Sequence, residues 1–350
     1  MIESDTDIVL VVDTDTVDLL DRRLLHALRI DGRASWNRLG QVLGSSDRTV
    51  ARRWARLRAS GLARVVGATD PQVLAETQWH LRVRVAPGKV VAIGEALARR
   101  PDTSWVRIVS GGAEIVWAVR AHTAADADQL MLDTLPRSSV REVTAQSQIH
   151  VYAEGAARLL QQLAPLTDDE LAALSPVAES SPLPPEPPPT PGPVTELDEV
   201  DRRLLAALQT DGRASVARLA AISGAAASTV RRRVDQLRRD GVLTLHVEID
   251  PGALGRHVLT LLWIRTAPAD LERTGMALAD HPEIGFAAAT TGRTSLYASV
   301  FTRDTAALYD YLTHRLAELP AVVDVESTSV LRSLKGEAGP RDPLPTRKRS

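Results

Sequence analysis

The 350-residue chain contains no cysteine, which excludes a disulfide framework, a thiolate nucleophile, an iron-sulfur cluster and cysteine-ligated zinc. No apolar run approaches the roughly 20 residues that a membrane helix needs. A secretory leader would open on positive charge, whereas this sequence opens on Glu3, Asp5 and Asp7 before an apolar stretch, Ile8 to Val12, of only five residues. The expected compartment is therefore the cytoplasm. Nucleotide-cradling Gly-x-x-x-x-Gly-Lys and nucleophile-elbow Gly-x-Ser-x-Gly patterns are missing. The eight histidines, at 26, 80, 122, 150, 246, 257, 281 and 314, include no pair at metal-ligand spacing. Neither metal nor cofactor is expected, and a lone histidine of this kind is read as a packing or surface residue. Lysine is scarce too: Lys89, Lys335 and Lys348 are the only ones among 42 basic residues. Arginine in place of lysine, with abundant alanine, is the usage of a GC-rich coding sequence, so the number of arginines means little and their placement matters.

What is present is a repeat. Sliding the chain by 180 positions superposes Asp18–Gly61 on Asp198–Gly241 with 23 of 44 positions identical. Asp21-Arg22-Arg23-Leu24-Leu25 and Asp31-Gly32-Arg33-Ala34-Ser35 recur as Asp201-Arg202-Arg203-Leu204-Leu205 and Asp211-Gly212-Arg213-Ala214-Ser215. Between the copies, Ser175 to Val194 holds nine prolines, a composition that cannot join a sheet and suits an extended spacer. The tail from residue 335 to 350 mixes glycine, proline and charge and is expected to be disordered.

Each copy opens with three short helical patterns. Acidic starts at Asp18 and Asp198, caps at Ser35 and Ser215, and stops at Gly61 and Gly241 delimit them. Gly40, Gly44 and Val50, or Ala220, Gly224 and Val230, give the small residue, turn glycine and packing valine of a helix-turn-helix. The third helix then carries Arg48, Arg52, Arg53, Arg56 and Arg58 in one copy, and Arg231, Arg232, Arg233, Arg238 and Arg239 in the other. Residues 17–65 hold eleven arginines against four aspartates, a net of +7, and residues 197–245 nine against six acids, a net of +3. The whole chain is at -2, so the remainder carries -12. Positive charge gathered on two helical modules is the footprint of a surface that displaces counterions from phosphate. The expected DNA contacts are Ser46, Arg48, Thr49, Arg52, Arg53 and Arg56 in the first copy. In the second they are Ser228, Thr229, Arg231, Arg232 and Arg233. Helix capping competes for Ser46 and Ser228, and surface ion pairing for Arg53 and Arg233.

After each module the pattern reads strand, helix, hairpin, helix, strand, beginning with the alternation Leu81, Val83, Val85 or the apolar run Leu259–Ile264. A second helix is expected at about 125–135 or 305–319. The expected fold class is α+β: two winged or three-helix helix-turn-helix modules (17–66 and 197–246) and two ferredoxin-like βαββαβ domains (76–153 and 256–334) in tandem, with the linker at 175–194.

This combination resembles the Lrp/AsnC transcriptional regulators over nearly the whole chain. The resemblance implies sequence-specific binding to double-stranded DNA and a second domain that pairs sheets and takes an amino acid or related effector. The family's Gly-x-x-Asp loop falls on Gly111, Gly112 and Glu114 in one copy and on Gly292 and Ser295 in the other. Both depart from the motif, since Glu114 is a longer acid and Ser295 carries no charge for an effector's ammonium group. Typical members carry one unit, so the two copies are expected to pair within the chain, with further self-association. The alternative on the same fold is a siroheme-decarboxylase-like enzyme. The scattered histidines, none recurring at matched positions, argue against it.

Overall fold

A computed structural model of the chain describes residues 17–71, 73–86, 88–100, 102–121, 139–153, 164–174, 197–319 and 321–336. The expected helix at 125–135, the proline-rich stretch and the tail beyond 336 lie outside them.

Head one consists of α1 (Leu19–Ile30), α2 (Trp36–Val42) and α3 (Asp47–Ala59). The Asp18 side chain accepts from the Asp21 amide at 2.8 Å while the Asp18 amide donates back to Asp21 at 3.2 Å, a capping box that fixes the start of α1. Ser35 caps α2 by accepting from the Arg38 amide. The turn into α3 passes through Gly44, whose φ of 63° a side chain would resist. Leu24, Leu28, Leu39, Val50 and Leu57 are fully buried between the three helices, each contributing about 1.5–3 kcal/mol of transfer free energy.

From head one the chain runs through β1 (Ala63–Thr69), β2 (Thr77–Val85), α4 (Val90–Arg99), β3 (Thr103–Val109), β4 (Glu114–Ala121) and β5 (Val140–Ala153). A short helix, α5 (Asp168–Leu174), precedes the second copy. Head two is α6 (Glu199–Thr210), α7 (Val216–Ser223) and α8 (Ala227–Arg239), followed by β6 (Leu243–Ile249), β7 (Val258–Thr266), α9 (Leu271–Asp280), β8 (Ile284–Thr290) and β9 (Leu296–Thr302). The chain closes with α10 (Thr305–Asp310), which continues as a π turn over Tyr311–Arg315, and β10 (Val322–Ser333).

The strand after each third helix does not fold back as a wing. Instead β1 and β6 pair with each other, antiparallel, with Val66 opposite His246 at the centre. The remaining strands form one closed eight-stranded barrel in the order β10-β3-β4-β2-β5-β8-β9-β7. Each half supplies four consecutive members, the second half in the βαββαβ order, and the halves are stitched by β5 to β8 and by β10 to β3. Closure leaves the barrel sheet without an edge. One face of each sheet packs its own helix, as Leu81, Val83 and Ile115 do against Ile93 and Leu97 of α4. The other face turns inward, where Val109, Val116, Leu261, Trp263 and Tyr297 form a core shared by both copies. The first two residues of the expected tail are ordered. Lys335 is buried with its ammonium on the Arg100 carbonyl, and the Gly336 carbonyl accepts from the Trp105 amide at 2.9 Å.

Candidate nucleic-acid interface and effector loops

The arginines of the third helices divide into two sets. Arg53 donates to Asp18 at 2.6 Å and to the fully buried Asp21 at 2.9 Å, and Arg56 also pairs with Asp21. In the second copy Arg233 bridges Asp198 at 2.6 Å and Asp201 at 3.3 Å. These guanidinium groups tie the third helix to the start of the first, so the ion-pair reading of Arg53 and Arg233 is the one seen, and Arg56 joins it. Gln236 stands where the first copy has Arg56, which leaves Asp201 with Arg233 alone. Burial pushes its carboxyl above the usual aspartate value.

Arg48, Arg52, Arg231 and Arg232 are the second set. They are exposed, and their guanidinium groups have no partner among the described residues. Arg48 and Arg52, four apart, lie on one face of α3, as Ser228 and Arg232 do on α8. Ser46 does cap α3, accepting from the Thr49 amide at 3.1 Å and donating to Thr49 Oγ1 at 2.9 Å. Ser228 does not cap. The position before α8 is Ala226, without a side-chain bond, and Ser228 is exposed on the first turn beside the half-buried Thr229.

The heads hold each other through a reciprocal clamp. Arg33 donates to the carbonyls of Gly212 at 2.7 Å and Ala214 at 3.0 Å, while Arg213 donates to Gly32 at 2.7 Å and Ala34 at 2.9 Å. Asp31-Gly32-Arg33-Ala34 and its repeat are thus interface residues, and glycine is required because a Cβ on Gly212 would stand 2.9 Å from Val65. Arg58 reaches Asp211 at 2.9 Å and Arg238 reaches Asp31 at 3.0 Å, which engages the remaining matched third-helix arginines in the same contact.

The two barrel loops differ sharply. Glu114 is 2% exposed and accepts from Arg82 at 2.7 Å, Arg84 at 2.8 Å and Ser110 at 2.9 Å. Burial alone would raise its carboxyl, but these donors hold it below the usual glutamate value. Both oxygens are therefore occupied, and Glu114 is not a free acceptor for an ammonium group. Arg82 also pairs with Glu326 of the other half at 2.6 Å and lies 4.4 Å over Trp263. Gly111 and Gly112 carry positive φ in the turn that brings Ser110 to Glu114. In the second loop, Gln146 of the first half fills the space: its amide donates to the carbonyls of Thr291 at 2.8 Å and Thr294 at 3.2 Å. A Cβ on Gly292 would lie 3.1 Å from it. The Ser295 hydroxyl accepts from the Thr266 amide at 3.0 Å and serves strand pairing.

One feature escaped the reading of the sequence. Residues 164–174 pack against head one: Leu166 and Leu174 enter its core, the buried His26 ring donates through Nδ1 to the Ala164 carbonyl at 2.9 Å, Glu170 pairs with Arg23, and Arg38 Nε donates to the Ala173 carbonyl at 2.7 Å. Its signal was legible, because Thr167 and Glu170 are spaced as a capping box and bond as one.

The sequence profile of the AsnC-type helix-turn-helix domain matches residues 17–58 and again 197–238, and that of the Lrp/AsnC ligand binding domain matches 260–340. HTH-type transcriptional regulator FL11 of Pyrococcus horikoshii is 30% identical over 140 residues, which are 40% of this chain and 92% of that protein. The chain belongs to the Lrp/AsnC family. A second relative, HTH-type transcriptional regulator Ptr1 of Methanocaldococcus jannaschii, is 30% identical over 140 residues, 40% of this chain and 95% of its own. Each of these Lrp/AsnC relatives is one copy long, whereas this member joins two. The crystal structure of the siroheme decarboxylase NirDL matches 93% of this chain and 95% of its own with a TM-score of 0.59, at 12% identity. That likeness concerns the fold alone.

Proposed function

We propose that this chain is a DNA-binding transcriptional regulator whose heads contact double-stranded DNA through Arg48, Thr49 and Arg52 on α3 and Thr229, Arg231 and Arg232 on α8, and that it acts in the cytoplasm. The observation that carries the proposal is the division of the arginines. Those facing the protein are neutralised by aspartates, and those on the open face of both third helices are left without counter-charge, as a phosphate-contacting surface requires. The clamp makes the two heads one body, so the spacing of the half-sites follows from the protein alone. The half-sites themselves are expected to differ, because Arg48 and Ala51 correspond to Ser228 and Arg231; Trp54 and Val234, the third unequal pair, are buried in the head cores and face no DNA.

A small-molecule effector belongs to the same proposal. An amino acid or similar compound fits the first loop better than the second, which Gln146 fills. Since Glu114 is saturated, the ammonium group would meet Glu326 and Glu142, both more than half exposed beside Arg82 and Arg84. A non-enzymatic role is favoured over the decarboxylase-like alternative, because the buried His80 is packed against Tyr297 at 4.6 Å and Phe286 at 5.8 Å and not held at an open cleft.

The test is in vitro selection of duplexes with the full chain, followed by salt titration of binding. Arg52→Ala and Arg232→Ala should each weaken binding and reduce the slope of log K against log salt by about 0.9, one released counterion per lost phosphate contact. Unchanged affinity and slope in both variants would remove the third helices from the interface.

A further inference from the structure

Head one and head two present the same backbone-facing arginine, half-buried and engaged by the protein in one and exposed in the other. Arg38 and Arg218 are both the third residue of the helix that precedes the recognition helix, and in helix-turn-helix docking that helix crosses the DNA backbone. On head one, Arg38 donates to the Ala173 carbonyl at 2.7 Å and Arg23 pairs with Glu170. On head two, Arg218 is exposed with its guanidinium unpartnered among the described residues, and Arg203 makes a surface pair with Glu199 at 3.0 Å. The burial follows the same line: His26 is 2% exposed under the strap, while its counterpart Ala206 is open.

We propose that residues 164–174 are an autoinhibitory strap that withholds the backbone-contacting face of head one's first two helices from DNA, so that head one meets DNA through α3 alone while head two engages through its whole face. The proposal rests on the DNA-binding reading above and adds how the two heads differ and what restrains the first. Three features make the segment a competitor for phosphate and more than an anchor for the linker. It occupies arginines of the first two helices through a carboxylate and a carbonyl, the acceptor types a phosphate would replace. It places Asp168 and Asp169, both exposed, beside them, so an incoming strand meets like charge. And among the described residues it is held to the helices by the Arg23 pair, the hydrogen bonds of His26 and Arg38 and three leucines, a contact small enough to open without unfolding the head.

The experiment uses the full chain and the duplex recovered by in vitro selection, with affinity measured across a salt series. Arg218→Ala is expected to weaken binding and reduce the salt slope by about 0.9, while Arg38→Ala in the otherwise unchanged chain leaves both where they were. Removing the strap's charge by Asp168→Asn and Asp169→Asn on its exposed side and Glu170→Ala at its pair with Arg23, all clear of the leucine core, should tighten binding at least threefold and steepen the slope. Adding Arg38→Ala to that variant should reverse most of the gain. The proposal is overturned if Arg38→Ala costs as much as Arg218→Ala in the original chain, or if the charge-removed strap binds no tighter. If Arg52→Ala and Arg232→Ala also leave the slope unmoved, it is the DNA reading itself that has failed, so the two failures are told apart.

Discussion

The first and second copies share their backbone design and differ in what surrounds it. Asp18 and Asp198 cap alike, Leu24 and Leu204 pack alike, and Arg33 and Arg213 exchange matching hydrogen bonds. Yet the first copy carries His80, Arg82 and Glu114 on its inward sheet face where the second carries Leu261, Trp263 and Ser295, and among the described residues a strap covers head one only. Two identical chains must meet symmetrically. Fusion lifts that constraint, because a linker leaves the first copy and enters the second and has no symmetric partner. The differences are therefore concentrated where the copies touch each other or touch the linker.

The largest expected effect tests the barrel. His80 is the fourth residue of β2 and Leu261 the fourth of β7, so His80→Leu makes the halves alike there. Burial pulls the His80 imidazole from 6.5 to about 4. A folded value below the unfolded one means that stability is full above pH 6.5 and is lost as pH falls toward 4, by about 3 kcal/mol over that window. Denaturant unfolding at pH 7 and pH 4.5 should show this loss in the parent chain and little of it in His80→Leu. An equal acid slope in both would mean that His80 is not the group responsible.

The clamp gives the next effect and breaks the symmetry in the opposite direction. Arg213 lies 3.9 Å over the ring of Trp36, while Arg33 has Val216 at the matching position. Losing either guanidinium leaves two carbonyls without their donors, at about 1–3 kcal/mol. Arg213→Ala forfeits a cation-π contact as well, of about 1 kcal/mol, and should lower the unfolding free energy more than Arg33→Ala. The reverse order would show that the ring contributes nothing and that burial, which pulls Arg213 down to about 10, dominates.

Local signals carried most of the fold. Capping serines, turn glycines and periodic leucines give each helix from its own neighbours in sequence, and the 180-residue offset doubles the information. Partner choice is another matter. Nothing in Arg64-Val65-Val66-Gly67 says that this strand pairs with β6 and not with a wing of its own, and the Asp-Gly-Arg-Ala repeats read as helix ends until Arg33 is seen on the Gly212 carbonyl 179 residues away. The recognition arginines show the same limit. Composition marks ten of them, but which are neutralised depends on aspartates that only folding brings near, 32 to 35 residues upstream for Arg53 and Arg233 and in the other copy for Arg58 and Arg238. The effector loops were found by motif alone, and what fills the second, Gln146, comes from the other half of the chain.

The smallest effect isolates the strap. His26→Ala gives head one the residue that head two has at Ala206, deleting one hydrogen bond and the ring that Ala164 covers while leaving the leucines in place. The expected loss is about 1 kcal/mol of local stability, too little to unfold the head but enough to raise the open fraction of the strap severalfold. Limited proteolysis or amide exchange within 164–174 should report it, with head two unaffected. Acid should act on the same contact. Burial lowers the His26 imidazole from 6.5, offset in part by its bond to Ala164, so the neutral ring favours the closed strap and stability is lost as pH falls below 6.5 toward the lowered value. The parent chain should therefore open its strap on acidification in that range, and His26→Ala should open to the same extent at pH 7 and pH 6. If the variant kept the parent's pH response, the strap's hold on head one would have to reside in the Arg23 and Glu170 pair and not in the histidine.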